Sequence, residues 1–123
     1  MQIIDIEQRI IDHLSSYGIA AFGEVPKNTH IGEFVTVERT GGDKTNIVFD
    51  HPVVAVQSWA EGDDEVSARY RASRLSRKVD EVMLVFDQEP GIDSCKRNAL
   101  GNFPDLDRKL GRYQAVYNIT TTY

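Results

Sequence analysis

Arg112-Tyr113-Gln114-Ala115-Val116-Tyr117-Asn118-Ile119-Thr120-Thr121-Thr122-Tyr123 is the stretch whose reading decides the fold. Tyr113, Ala115, Tyr117, Ile119, Thr121 and Tyr123 alternate with Gln114, Val116, Asn118, Thr120 and Thr122. A period of two over this length predicts a strand with two unlike faces. Tyr and Thr suit a pleated, half-buried surface, so the strand is expected to close a sheet beneath a helix rather than trail as a tail.

The helix that would lie on it precedes it. From Asp63 to Phe86, Ala68, Ala72, Leu75, Val79, Val82 and Phe86 recur at spacings of three and four, one continuous apolar stripe. Asp63, Asp64 and Glu65 stand at its start, where the helix dipole favours negative charge. A first helix is expected over Asp5–Tyr17, with Ile6, Ile10, Ile11 and Leu14 as its stripe, Asp5 and Gln8 placed as in a capping box, and Gly18 as its stop. Ile19–Gly32 reads as a connection with one short strand around Ala20–Val25.

Between the helices, Glu33–Thr40 alternates as a strand, and Gly41-Gly42-Asp43-Lys44-Thr45-Asn46 reads as a turn, because a Gly-Gly pair tolerates the positive φ of a reversal. The return strand runs from Ile47 to Trp59, with a bulge or an edge expected at Pro52, which cannot donate to a ladder. Ile92–Ala99 reads as a short strand of poor alternation, and Phe103–Gly111 as a turn-rich connection. The whole is expected to be one domain over residues 1–123, of α+β class: an antiparallel sheet with a long β-hairpin, packed on one face by two helices.

Composition narrows the function. The chain has 123 residues, 41% hydrophobic and 27% charged, with a net charge of −5. An acidic balance argues against a nucleic-acid binder, which neutralises phosphates with a basic surface. No apolar run reaches the length of a membrane span, and Met1-Gln2-Ile3-Ile4-Asp5 lacks the basic and apolar regions of a signal peptide. Cys95 is the sole cysteine, so no internal disulfide can form, which fits a reducing compartment.

Catalytic chemistry is poorly represented. His13, His30 and His51 are not at metal-ligand spacing. Cys95 would need a histidine beside it to act as a nucleophile. Gly41-Gly42-Asp43-Lys44-Thr45 echoes a phosphate loop, but Asp43 interrupts the pattern and a strand follows where a helix should. No enzyme activity, metal or cofactor is expected. Trp59 is expected to pack at the sheet–helix corner. Phe103, a large aromatic in a turn, either plugs the core edge or meets a partner. Arg69, Arg71, Arg74, Arg77 and Lys78 make the long helix basic, as a solvated face balanced by Asp80 and Glu81 or as a subunit contact in which arginine is favoured.

Taken in order, Phe34-Val35-Thr36-Val37-Glu38-Arg39-Thr40-Gly41-Gly42, then Asp50-His51-Pro52-Val53-Val54-Ala55-Val56-Gln57-Ser58-Trp59-Ala60, the long helix, Asn102-Phe103-Pro104-Asp105-Leu106-Asp107 and Arg112-Tyr113-Gln114 resemble the tail terminator (tail completion) proteins of long, non-contractile-tailed bacteriophages. The resemblance covers most of the chain from Phe34 onward. It implies a structural virion protein, assembled in the host cytoplasm and residing at the tail–neck region. Such a protein forms a ring of its own copies, usually a hexamer, that caps the head-proximal end of the tail tube, ends polymerisation and meets the neck. Its partners would be itself, the tail tube protein and neck or connector proteins, with genome DNA passing through the lumen without sequence-specific binding. A neighbouring neck component, a head–tail connector or stopper, is the alternative. The elements expected to meet partners are the hairpin tip, Arg39, Thr40, Gly41, Gly42, Asp43, Lys44, Thr45 and Asn46; the loop residues Phe103, Pro104, Asp105, Arg112 and Tyr113; and Arg69, Arg71, Arg74 and Arg77 on the helix.

Overall fold

The computed structural model describes residues 5–26, 32–43, 49–103 and 110–122, with the backbone alone at 43 and 49. In chain order the elements are α1 (Ile6–Ser16), β1 (Ala21–Phe22), β2 (Glu33–Asp43), β3 (Phe49–Ala60), α2 (Glu65–Met83), a 3₁₀ turn (Phe86–Gln88), β4 (Ile92–Asn102) and β5 (Gly111–Thr122). The strands form one sheet in the order β1-β2-β3-β5-β4. The class is α+β, as the alternating and helical periods imply.

Both helices begin on an aspartate. Asp5 accepts from the Gln8 amide at 3.1 Å and Asp64 from the Ser67 amide at 2.7 Å, each filling one orphan donor of the first turn. Ile6, Ile10 and Leu14 of α1 and Val79, Val82 and Met83 of α2 are buried against Val35, Val37, Val54, Val56, Ala115, Tyr117 and Ile119 of the sheet. The small residues at the start of the α2 stripe let the helix approach the sheet closely: a Cβ at Gly111 would collide with the Ala68 carbonyl. Helix α2 stops at Met83, and Phe86, the end of the apolar stripe, is buried from the separate 3₁₀ turn.

Four features depart from the sequence reading. The sheet is mixed, because β1 runs parallel to β2, with Ala21 opposite Val35. Gly41 and Gly42 lie inside β2 rather than in a turn, opposite Val53 and Pro52, after a bulge between Arg39 and Gly41. Gly42 has φ 104°, and a Cβ there would collide with the His51 carbonyl oxygen, so the glycine serves the bulged ladder. Strand β3 lies inside the sheet, so Pro52 is not at an edge; the bulge is on the neighbouring strand, and the register to β5 passes from Asp50↔Thr121 to Val53↔Asn118. Strand β4 extends to Asn102, and two register shifts, between Ile92 and Ser94 and between Arg97 and Ala99, destroy its alternation. The tip of the β2–β3 connection, Lys44, Thr45 and Asn46, lies outside the described residues, as do Pro104 and Asp105.

Candidate functional site

The β2–β3 pair is anchored by Arg39. Its guanidinium forms two bonds to Asp50, at 2.9 and 3.0 Å, and Nε donates to the Gly41 carbonyl at 3.2 Å. Its amide donates to Glu7 of α1 at 3.0 Å. Asp50 is buried, so this forked pair clamps β2 to β3, and the amide bond to Glu7 ties that clamp to α1. Thr40, at the bulge, reaches the Val53 carbonyl at 3.4 Å. Of the residues expected at the tip, Arg39 is thus engaged within the chain, and Thr40, Gly41 and Gly42 are exposed along β2.

The loop between β4 and β5 is closed by its end residues. The Phe103 amide donates to the Arg112 carbonyl at 2.8 Å, and Arg112 Nε donates to the Phe103 carbonyl at 2.6 Å. The Arg112 guanidinium also lies 4.8 Å over the Trp59 ring. Tyr113 faces α2, where hydrogen bonds from Arg69 and then Ser73 hold its hydroxyl below the usual phenol range. Phe103 is left 51% exposed. Arg112 and Tyr113 therefore position the loop, and Phe103 is its outward aromatic.

The arginines of α2 divide in the same way. Arg71 pairs with Glu33 at 3.4 Å and donates to the Glu61 carbonyl, tying α2 to the end of β2. Arg69 serves Tyr113. Arg74 lies over the exposed Tyr70 ring at 5.9 Å, and Arg77 and Lys78 are exposed beside it. Among the described residues, Arg74, Arg77 and Lys78 have no carboxylate within ion-pair distance.

The face of the sheet turned away from α1 and α2 escaped the sequence reading. Trp59 lies there, not at the sheet–helix corner: in β3 it alternates away from Val54 and Val56, which face the helices. Its ring stacks on Phe34 with centroids 5.7 Å apart and planes 9° apart. Trp59 Nε1 donates to Thr36 at 3.0 Å, Thr36 to Gln57 at 2.8 Å, and Gln57 to Gln114 at 2.9 Å. This chain of neutral groups crosses β2, β3 and β5. Beyond it, His51, Ser94, Lys96, Asn118 and Thr120 line a shallow open groove. The signal was available in the parity: Phe34 stands out of phase with Val35 and Val37, and Trp59 with Val54 and Val56.

The buried and half-buried titratable side chains His13, Cys95 and Tyr117 are committed to the fold. His13 is buried, with Nδ1 3.1 Å from Glu89 and Nε2 2.8 Å from the Val82 carbonyl, so neither nitrogen is turned toward Cys95. Burial pushes the Cys95 thiol up to about 12, with Asp87 and Asp80 adding to the shift. Burial and then the hydrogen bond to Asp80, 2.9 Å away, raise Tyr117, and Asp80 also holds Arg97 at 2.9 Å. His51 is exposed and meets Thr120 at 3.3 Å. His30 lies outside the described residues. Among the described residues no group of three His, Cys, Asp or Glu is arranged to hold a metal ion, and no helix is long and apolar enough to cross a membrane.

No protein-family profile and no curated protein matches the chain. Among solved structures, it is similar to a chain from the virion of a native gene transfer agent particle, at 15% identity and a TM-score of 0.58, over 90% of this chain and 84% of that one. Likeness at this identity is a likeness of fold.

Proposed function

We propose that the chain is a structural protein of a phage-like particle, and within it the tail terminator: a ring, of six copies, that caps the head-proximal end of the tail tube, ends its polymerisation and joins the neck. The observation that carries the reading is the fold shared over 90% of the chain with a protein of a gene transfer agent virion. The order of motifs from Phe34 to Gln114 supports the finer assignment. The engaged state of His13, Cys95 and Tyr117 supports a structural rather than catalytic role.

In this reading the chain is one domain whose partners are its own copies, the tube protein and neck proteins. Its net charge of −5 suits a conduit that does not grip phosphates, so genome DNA passes without sequence-specific binding. A ring follows from a heterologous contact whose rotation closes. The hairpin end, from Thr40 to Asn46, and the Phe103 loop are the elements assigned to tube and neck.

The test is growth of the tube. Co-expressed with the tube protein of its own particle, the chain is expected to bound tube length. Exchanging the charges at the tip (Asp43→Lys with Lys44→Asp) is expected to give tubes of abnormal length or tails that fail to join heads. Normal virions at normal yield would sink the assignment of the tip. Unbounded tubes with a chain that still joins heads would make it a connector or stopper.

A further inference from the structure

The charge of this chain is segregated. Helix α2 holds five cations against three anions, a net +2 in a chain of −5, so the remaining residues together carry −7. The cations that the fold does not engage, Arg74, Arg77 and Lys78, share the outward side of α2 with Val66 and Tyr70, which are 77% and 59% exposed. At spacings of three and four, Val66, Tyr70, Arg74 and Arg77 make one outward stripe; Glu81, a turn further on, opposes its sign, and Glu33, paired with Arg71, lines the groove that Arg74 and Lys78 border. Residues of this kind, an aromatic beside arginines, are enriched where proteins meet.

A surface of opposite sign lies elsewhere on the same chain. Helix α1 turns Asp5 and Asp12 outward, with Glu7 half-exposed on its flank. Its inner side meets the turn after α2, through Arg9 to the Pro90 carbonyl at 2.7 Å and His13 to Glu89. That turn adds the exposed Asp87 and the partly exposed Glu89. Arg9 is the cation facing this corner from α1, and it is drawn to Pro90.

We propose that the basic outer stripe of α2, centred on Tyr70, Arg74 and Arg77, docks on the acidic α1 corner, centred on Asp12 and Asp87, of a second copy of this chain. Two different patches meet, so the contact is head-to-tail and generates a closed ring or a filament. The proposal names the contact within the ring of the preceding section and rests on that reading for its closure. Complementary charge sets register and suppresses the wrong pairing of like surfaces.

Two variants test it, each far from the core: Arg74→Glu with Arg77→Glu, and Asp12→Lys with Asp87→Lys. Circular dichroism and melting of both are expected to match the wild type. Light scattering should show self-association of the wild type that weakens as salt rises, and at least about tenfold weaker association for either variant alone. Mixed in equal amounts, the two variants should regain wild-type mass, because each then offers the other an opposite charge at both contacts. Wild-type association in both single variants, failure of the mixture to associate, or a wild type that stays monomeric at high concentration would each overturn the contact. Duplex DNA retained by the wild type and lost by the α2 variant, with masses unchanged, would assign the stripe to nucleic acid and overturn it as well. Variants that bound tube length as the wild type does would sink this contact alone. A chain that pairs as described yet never slows tube growth would sink the terminator reading alone.

Discussion

Gly42 shows how one residue sets the bulged β2–β3 ladder. Its φ of 104° and the closeness of the His51 carbonyl leave no room for a side chain. Gly42→Ala is expected to destabilise the chain by about 2 kcal/mol, read from urea unfolding, whereas Gly41→Ala, with nothing near its Cβ, should cost less. Tyr117 and Cys95 make a second prediction. Both are acids whose folded ionisation is shifted upward, so their contribution to stability is complete below the unfolded pKa and is lost as pH rises toward the folded one. For Cys95 that window runs from the ordinary 9.0 to about 12. Stability should therefore fall with pH above 9.0, and Cys95→Ala should flatten the fall in its lower part. Native Cys95 should resist alkylation at pH 8 and react once the chain is unfolded. At this scale the sequence was only partly legible. Gly-Gly announced a special backbone but not its place, because a turn and a bulge ask for the same residue. His13 stands just before Leu14 of the α1 stripe, yet its partners, Glu89 and the Val82 carbonyl, are distant in the chain.

Elements were legible in proportion to the regularity of their period. Strand β5 alternates without interruption and lies where its pattern puts it, with Tyr113, Ala115, Tyr117 and Ile119 toward the helices. Helix α1 and the cap of α2 follow the same logic. Strand β4 was obscure for a physical reason: its two register shifts place Ile92, Cys95, Arg97 and Leu100 opposite helix-facing residues of β5 at spacings of three, two and three, which fits neither a strand nor a helix template. The parallel β1 pair was obscure because two residues carry no period. The close approach of α2 to β5 gives an element-scale prediction. Ala68→Leu would press the helix away from Gly111, with an expected loss of about 1–3 kcal/mol and a lowered melting temperature. Asp64→Ala, which removes the cap bond to the Ser67 amide, should cost about 1 kcal/mol.

For the molecule as a whole, what matters is how its surfaces are distributed. One face of the sheet is covered by helices, and the other carries an aromatic pair, a chain of amides and hydroxyls, and a shallow polar groove. The candidate interfaces divide into residues that hold the fold and residues that are presented. Arg39, Arg69, Arg71, Arg112 and Tyr113 belong to the first group, and Phe103, Arg74 and Arg77 to the second. Sequence named all of them but could not separate them, since an arginine bound to a neighbour and an arginine turned outward look alike in one dimension. A matching expectation concerns Phe103→Ser: no measurable loss in melting temperature, because the ring is half exposed, together with loss of neck joining if the loop meets a partner.

The Glu7 side chain closes the account of the sheet. Along the outer edge of β2, the Val35 amide is answered by the Ala20 carbonyl just before β1, but two outward amides further on the Arg39 amide is answered by a carboxylate from α1. A helix thus sits in the seat a sixth strand would take at that point. Lateral growth of the sheet, the route by which exposed edges turn folded chains into aggregates, is blocked at this amide, so the same glutamate that braces the β2–β3 pair also occupies one bonding position of the edge.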